Sequence, residues 1–328
     1  MQVKDRVLEE LETHRGEYFS GQALAQRLQV SRSAVWKAIT QLRESGYPID
    51  AVSNRGYCLR AESAILSPQS IAQYLSVPGL RLEVQPVVTS TNTVLRQRAE
   101  AGEAEGLVLA AAAQTAGRGR RDHTFFSPPD SGLYLSFLLR PELAAQEALS
   151  LTTCAAASVA LAIEECAGIP ARIKWVNDVF CGGKKVCGIL TEAAMDLETG
   201  GLQYAIVGIG VNLFPPAEGF PPELTEAGAV FPSKPQGLES RSQLAGSILN
   251  HFFSFYPNLG DKPFFQDYRS RSLVLGRPIQ ILERGRTRTG VALDLEEDFS
   301  LRVQEADGTI RTLSSGEVRV RPEQEDTP

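Results

Sequence analysis

Gln114-Thr115-Ala116-Gly117-Arg118-Gly119-Arg120-Arg121 packs two glycines and three arginines into its last five residues, directly after the apolar run Leu107 to Ala113. Glycine lets a backbone N–H approach a ligand closely. Arginine presents a planar fork of donors that fits carboxylate and phosphate. A glycine–arginine loop leaving a strand is therefore a candidate anion cradle. Taken alone, Arg-Gly-Arg is more often a solvated basic loop; its surroundings shift that balance.

Upstream, Leu82 to Val88 has the pattern of a strand, and Thr89-Ser90-Thr91-Asn92 precedes a helix over Thr93 to Ala101. Such a cluster is by default an N-cap, although it equally offers hydroxyls and an amide to a ligand at the helix start. Downstream, Leu133 to Leu139 alternates as a core strand, and an Ala- and Leu-rich helix spans Leu149 to Ala167. Ile173 to Phe180 and Lys184 to Leu190 flank Gly182-Gly183 as a hairpin bearing Lys174, Asn177, Asp178 and Lys185. Charges on strands this apolar need a partner or a ligand. The strand Ala205 to Leu213 holds Gly208-Ile209-Gly210-Val211-Asn212, without the third glycine and following helix of a dinucleotide fingerprint. No P-loop and no Gly-x-Ser-x-Gly elbow occur, and there are three histidines, so a hydrolase triad is not indicated.

The first sixty residues have their own logic. Val3, Val7, Leu8 and Leu11 recur at helical spacing; Ser20 caps a second short helix; Ser31 caps a third whose inner face is Val35, Ile39 and Leu42. Its outer face carries Ser33, Trp36, Lys37 and Thr40, and Ile49 to Val52 with Tyr57 to Leu59 flank the turn Asn54-Arg55-Gly56. This is the pattern of a winged helix-turn-helix. From Arg27 to Arg60, six basic residues face two acidic ones within a chain of net charge −6, an electrostatic footprint for phosphates. The DNA-contact candidates are Ser31, Arg32, Ser33, Trp36, Lys37, Thr40 and Arg55, with Trp36 equally suited to packing against the wing.

The 43% hydrophobic and 22% charged content is that of an ordinary soluble protein. No membrane span or signal peptide is indicated, which makes a cytoplasmic location the default. Five cysteines without a Cys-x-x-Cys pair suggest neither a disulfide framework nor a zinc site, and no metal ligands are assigned. After a Pro-rich stretch, Leu244 to Phe255 is a helix. Then Ile279 to Leu282, Thr287 to Asp294, Ser300 to Gln304 and Ile310 to Leu313 are short strands of a small antiparallel barrel, with turns at Arg284-Gly285 and Asp307-Gly308. Pro322 to Pro328 is expected to be a disordered tail.

Taken together, Ser90-Thr91-Asn92, Gln114 with Ala116 to Arg121, Leu133-Tyr134-Leu135-Ser136, Lys174-Trp175 with Asn177-Asp178, Lys185 with Gly188-Ile189-Leu190, and Gly208 to Asn212 resemble the bacterial bifunctional biotin–protein ligase and biotin operon repressor family. The resemblance implies an α+β multidomain fold. A winged helix-turn-helix (1–64) would precede a mixed α/β-sheet ligase domain of the biotin/lipoate type (65–272) and an SH3-like barrel with its tail (273–328). It implies formation of biotinyl-5′-AMP from biotin and ATP, with Mg2+, and transfer of biotin to a lysine of biotin carboxyl carrier protein. It also implies repression at operator DNA by a homodimer that forms when biotinyl-AMP is bound.

By the same resemblance, Ser90, Thr91, Asn92 and Gln114 would bind biotin, and Gly117, Arg118, Gly119 and Arg120 would fold over it and the acyl phosphate. Lys185 would reach the biotin carboxyl, with Arg118 and Lys185 acting in catalysis. Arg120, Arg121, Asn177 and Asn212 would hold the nucleotide, and Asp178 would steer or deprotonate the incoming lysine. Glu317 and Arg321 match barrel positions that aid ATP or carrier binding. The chain departs from the family at Val176 (usually Pro), Phe125 (usually Trp) and Asp122-His123 (usually Gly-Arg). Competing readings are a ligand-sensing repressor without transferase activity and a lipoate–protein ligase, since that sister family shares the central fold.

Overall fold

Val7, Leu8 and Leu11 make one buried stripe of α1 (Val3–Thr13). The Ser20 and Ser31 hydroxyls accept the N–H groups of Ala23 and Ala34 and so start α2 (Gly21–Arg27) and α3 (Arg32–Glu44). The wing, β1 (Ile49–Val52) and β2 (Gly56–Leu59), turns through Asn54 at φ 66° and Gly56 at φ 100°. A Cβ on Gly56 would stand 2.1 Å from the Phe19 carbonyl oxygen, so only glycine fits there. Leu11, Leu24, Val35, Ile39, Leu42 and Leu59 form a core of their own. Arg15, paired with buried Glu12, donates to the Ser63 carbonyl at 2.8 Å and ties this unit to the chain that follows. The computed structural model describes residues 2–320 except 62, 64, 145–146, 197, 199, 234–239, 284–285 and 315. The expected tail (322–328), Arg321 and the Arg284-Gly285 turn lie outside the described residues.

After α4 (Pro68–Ala72), a seven-stranded sheet is built in the order β3-β4-β5-β9-β8-β7-β6. Its strands are β3 (Arg81–Val88), β4 (Leu107–Gln114), β5 (Gly132–Leu139), β6 (Arg172–Lys174), β7 (Asp178–Cys181), β8 (Lys184–Met195) and β9 (Leu202–Asn212). The β3–β4 pair is parallel, and α5 (Thr91–Glu100) makes the crossover; the other pairs are antiparallel. Leu95 and Ala99 of α5 pack on Leu107, Leu109, Tyr204 and Ile206 on one face. The other face is covered by α6 (Ala148–Ala167) and α7 (Ser240–Phe255), followed by α8 (Phe265–Ser270). By length and apolarity α6 would suffice to cross a membrane, contrary to the sequence expectation, but it is the buried central helix of this core.

Ile173 to Phe180, expected as one arm of a hairpin, is two strands, with Lys174 opposite Asp178. The chain turns back at Trp175, whose indole N–H donates to the Phe299 carbonyl at 2.8 Å, while the Val176 carbonyl accepts the Tyr268 hydroxyl at 3.0 Å. The proline-to-valine departure therefore lies in a buried turn. The C-terminal strands β10 (Pro278–Glu283), β11 (Arg286–Leu295), β12 (Leu301–Glu305), β13 (Ile310–Leu313) and β14 (Glu317–Val320) pair in the order β13-β12-β11-β10-β14. β13 and β14 are the sheet edges and do not pair with each other, so the described pairings are those of an open antiparallel sheet, not a closed barrel. β14 was not expected from sequence. Ile279, Ile281, Leu301, Val303 and Val318 join the same apolar cluster as the central domain, which fixes this sheet against it.

Candidate functional site

A cleft of about 330 Å³ opens where α5 begins, bounded by the arginine loop, the β7–β8 hairpin and Gly316 to Val318. Five cationic side chains (Arg118, Arg120, Arg121, Lys174 and Lys185) and three carboxylates (Asp178, Glu226 and Glu317) line it. In a protein of net charge −6, that local surplus selects an anionic ligand.

The floor is a hydrogen-bonded cluster. Ser90 occupies the N-cap position of α5, yet its side chain makes no capping bond; the default reading of Ser90 as a cap is therefore wrong. The helix is capped in trans by Gln114, whose Oε1 accepts the Thr91 N–H at 2.8 Å and the Thr91 hydroxyl at 3.2 Å, while its Nε2 donates to Ser127 Oγ at 2.9 Å. Ser136 Oγ lies 2.6 Å from Thr91 Oγ1 and 2.7 Å from Asn92 Oδ1. Asn92 reaches this place because the facing strand carries glycine: a Cβ on Gly208 would stand 2.0 Å from Asn92 Oδ1. Likewise a Cβ on Gly210 would stand 2.4 Å from the Phe125 ring, which lies across β8 and β9 at Gly188 and Gly210.

The arginine loop is folded back on itself. Phe125 N–H donates to the Gly117 carbonyl at 3.0 Å and Gly119 N–H to the His123 carbonyl at 2.7 Å, making a small hairpin whose tip is the 3-10 turn Arg120–Asp122. Gly117 is buried and does not line the cleft; its place is steric, because a Cβ there would stand 2.3 Å from the Phe125 carbonyl oxygen. Arg118 donates to Glu192 Oε1 at 2.7 Å and Arg120 to Asn177 Oδ1 at 2.9 Å, while Arg121 comes within 3.9 Å of Glu317 on β14. Burial first, then the charge of Arg121, lowers the Arg120 pKa from the usual arginine value; a cation so desolvated gains most from an arriving anion. Lys185 Nζ sits 2.7 Å from Asp178 Oδ1, and Lys174 Nζ 3.3 Å from Glu226 Oε2.

The fold thus brings Ser90, Thr91, Asn92, Gln114, Arg118, Gly119, Arg120, Arg121, Asn177, Asp178 and Lys185 to one cleft. Asn212 ends β9 beyond the cleft residues, and its carbonyl accepts the Val230 N–H at 2.9 Å. Sequence reasoning gave no role to Ser136, Glu192 or Glu226. Glu192 was legible in principle, since it follows Gly188 and Leu190 at the strand period of two. Among the described residues no three His, Cys, Asp or Glu side chains converge to hold a metal ion.

On α3 Trp36 is 62% exposed. Arg32, Ser33 and Lys37 are exposed beside it. Ser31 spends its hydroxyl on the cap, and Thr40 donates back to the Trp36 carbonyl at 3.0 Å. Arg55 of the wing lies over the Tyr18 ring, 4.0 Å from its centroid.

Residues 84–212 match the biotin/lipoate A/B protein ligase family, residues 4–58 a helix-turn-helix domain and residues 274–321 the biotin protein ligase C-terminal domain. The bifunctional ligase/repressor BirA of Bacillus spizizenii is 34% identical over 312 residues, covering 93% of this chain and 94% of that protein. The chain belongs to the bifunctional ligase/repressor family. A second member, from Escherichia coli, is 27% identical over 310 residues, again 93% of this chain and 94% of that protein. The biotin protein ligase of Aquifex aeolicus, solved in complex with biotin and ATP, superposes with a TM-score of 0.58 at 29% identity, covering 74% of this chain and 98% of that one. Membership in the ligase/repressor family accounts for both halves of the site, the arginine hairpin over a polar floor and the basic winged helix.

Proposed function

We propose that the protein is an ATP-dependent biotin–protein ligase that also acts as a DNA-binding repressor. The observation that carries the catalytic half is the convergence of Arg118, Arg120 and Lys185 on one cleft whose floor is Ser90, Thr91 and Gln114. In the first step a biotin carboxylate oxygen attacks the α-phosphorus of ATP, forming biotinyl-5′-AMP and releasing pyrophosphate. Two anions must be held together for this, and fixed guanidinium and ammonium donors offset the charge that builds on phosphorus. Lys185 leaves Asp178 for the biotin carboxylate, and Arg120 turns from Asn177 to the phosphate. In the second step the amine of a carrier lysine attacks the acyl carbon, AMP departs with the bridging oxygen, and the amine's proton passes to Asp178, which the movement of Lys185 has freed.

Ser90 and Gln114 bind the biotin head, Asn177 and Arg121 contact the nucleotide, and Glu317 on β14 places the C-terminal sheet, which we read as SH3-like, beside the ATP and the carrier. The units are 1–64, 65–272 and 273–328. Magnesium would accompany ATP as the counter-ion of its phosphates. Arg32, Ser33, Trp36, Lys37 and Arg55 face operator DNA in the cytoplasm, on a homodimer that forms when biotinyl-AMP is bound. Incubation with ATP, biotin and a carrier domain should label one carrier lysine, and absence of label would reject the ligase. Competition between biotin and lipoate for the same transfer separates the sister activity. Protection of a two-fold DNA site that depends on biotin and ATP tests the repressor.

A further inference from the structure

We infer that Glu192 is a positioning residue that couples the floor of the cleft to the arginine hairpin above it. The inference rests on the ligase reading of this site. Glu192 lies on β8 on the same face as Gly188 and Leu190. Its Oε2 accepts from Asn92 Nδ2 at 2.9 Å, its Oε1 accepts from an Arg118 terminal nitrogen at 2.7 Å, and Arg96 stands 3.7 Å from the same oxygen. One carboxylate therefore holds α5, β8 and the hairpin in one arrangement.

Asn92 gives its two N–H groups to the Leu190 carbonyl and to Glu192, and its Oδ1 faces Ser136. Through these bonds it supports the ligand-facing groups beside it. Arg118 has five N–H donors, and one is spent on Glu192; the others remain for a carboxylate or acyl phosphate. The hairpin backbone of Arg118 is already fixed by its pairing with Thr124 and by the Gly119–His123 bond. The direction of the guanidinium is the freedom that remains, and Glu192 removes it. An arginine aimed beforehand spares the bound ligand the cost of ordering it.

The test is a double-mutant cycle between Glu192→Gln and Arg118→Ala, read as the KM for biotin in ATP–pyrophosphate exchange and as the rate at which preformed biotinyl-AMP leaves. Glu192→Gln should raise KM and speed release by about tenfold, the loss of one charge-assisted hydrogen bond, with kcat within about threefold. Glu192→Asp, which keeps the charge one methylene short, should fall between. In the Arg118→Ala background the effect of Glu192→Gln should shrink to the part carried by the Asn92 bond, because the part that passes through Arg118 is gone. A wild-type KM in Glu192→Gln, or an equal effect with and without Arg118, would overturn the inference. If Glu192→Gln does not fold, Glu192→Asp carries the same cycle: most of its rise in KM must disappear in the Arg118→Ala background. Failure of the wild-type protein to form adenylate from biotin and ATP would sink the ligase reading instead, a distinct result.

Discussion

Lys185 Nζ lies 2.7 Å from Asp178 Oδ1, so the proposed activator of biotin and the proposed acceptor of the lysine proton hold each other before substrate arrives. The exchange of partners orders the two steps. Lys185→Ala should slow adenylate formation by about 10² to 10³-fold, the size expected for losing one charge-stabilising donor, and it leaves the Asp178 carboxylate facing two incoming anions. Asp178→Asn should slow transfer to the carrier at least about tenfold and adenylation less. Pyrophosphate exchange and single-turnover transfer measure the two separately; equal slowing of both would mean that Asp178 acts only through Lys185.

Gly208→Ala should damage the site from behind. Its Cβ would stand 2.0 Å from Asn92 Oδ1, and Asn92 cannot withdraw without breaking its bonds to Ser136, Leu190 and Glu192. The overpacking should cost about 1–3 kcal/mol and raise the KM for biotin. Gly260→Ala, where nothing lies within 4 Å of the added carbon, should leave melting temperature and KM alone. Calorimetry and exchange kinetics on the pair decide it.

The chain has two tryptophans, Trp36 at 62% exposure and Trp175 at 4%. Acrylamide should therefore quench two classes of emission, and Trp36→Phe should abolish the accessible one. Duplex DNA bound in the presence of biotin and ATP should shield that class. DNA binding with undiminished quenching would place Trp36 off the interface. Lys37→Ala should weaken binding across sequences and lower the salt slope by about one.

Glu103 is held down to about 2 from an ordinary carboxylate value of 4.5 by hydrogen bonds from Arg81 first and Arg98 second. A depressed carboxylate stabilises the fold above its unfolded pKa, and that contribution disappears as pH falls through the folded value. Glu103→Gln should thus lower the melting temperature at pH 7, with the difference from wild type constant down to about pH 5 and closing between pH 4.5 and 2. A difference that persists at pH 2 would assign the effect to packing. Because the Arg81 and Arg98 partners of Glu103 are exposed to solvent, added salt should also shrink it.

The sequence alone determined whatever depends on a residue's near neighbours. Ser20 and Ser31 cap α2 and α3 because a cap needs only the next turn of helix. Asn54 and Gly56 turn the wing, and β4, β5 and β9 are written as apolar runs of strand length. The arginine loop, the Lys185 hairpin and the basic helix were legible in the same way, since their chemistry lies in residue types a few positions apart.

What the tertiary structure decided are the long-range choices. Ser90 has the type and place of a cap, but Gln114, 23 residues after Thr91, takes the Thr91 N–H and leaves the Ser90 hydroxyl beside the cleft. Ile173 to Phe180 has strand character throughout, but the Trp175 indole is drawn to the Phe299 carbonyl 124 residues on, and the chain folds into two strands. The C-terminal strands alternate as a barrel would, and only the pairing shows β13 and β14 as edges. Glu192 looks like any charged residue near a strand end until Arg118, 74 residues before it, and Asn92, 100 before it, arrive at its two oxygens. A hydrogen bond between distant residues depends on where the whole chain has gone, and no local pattern carries that information.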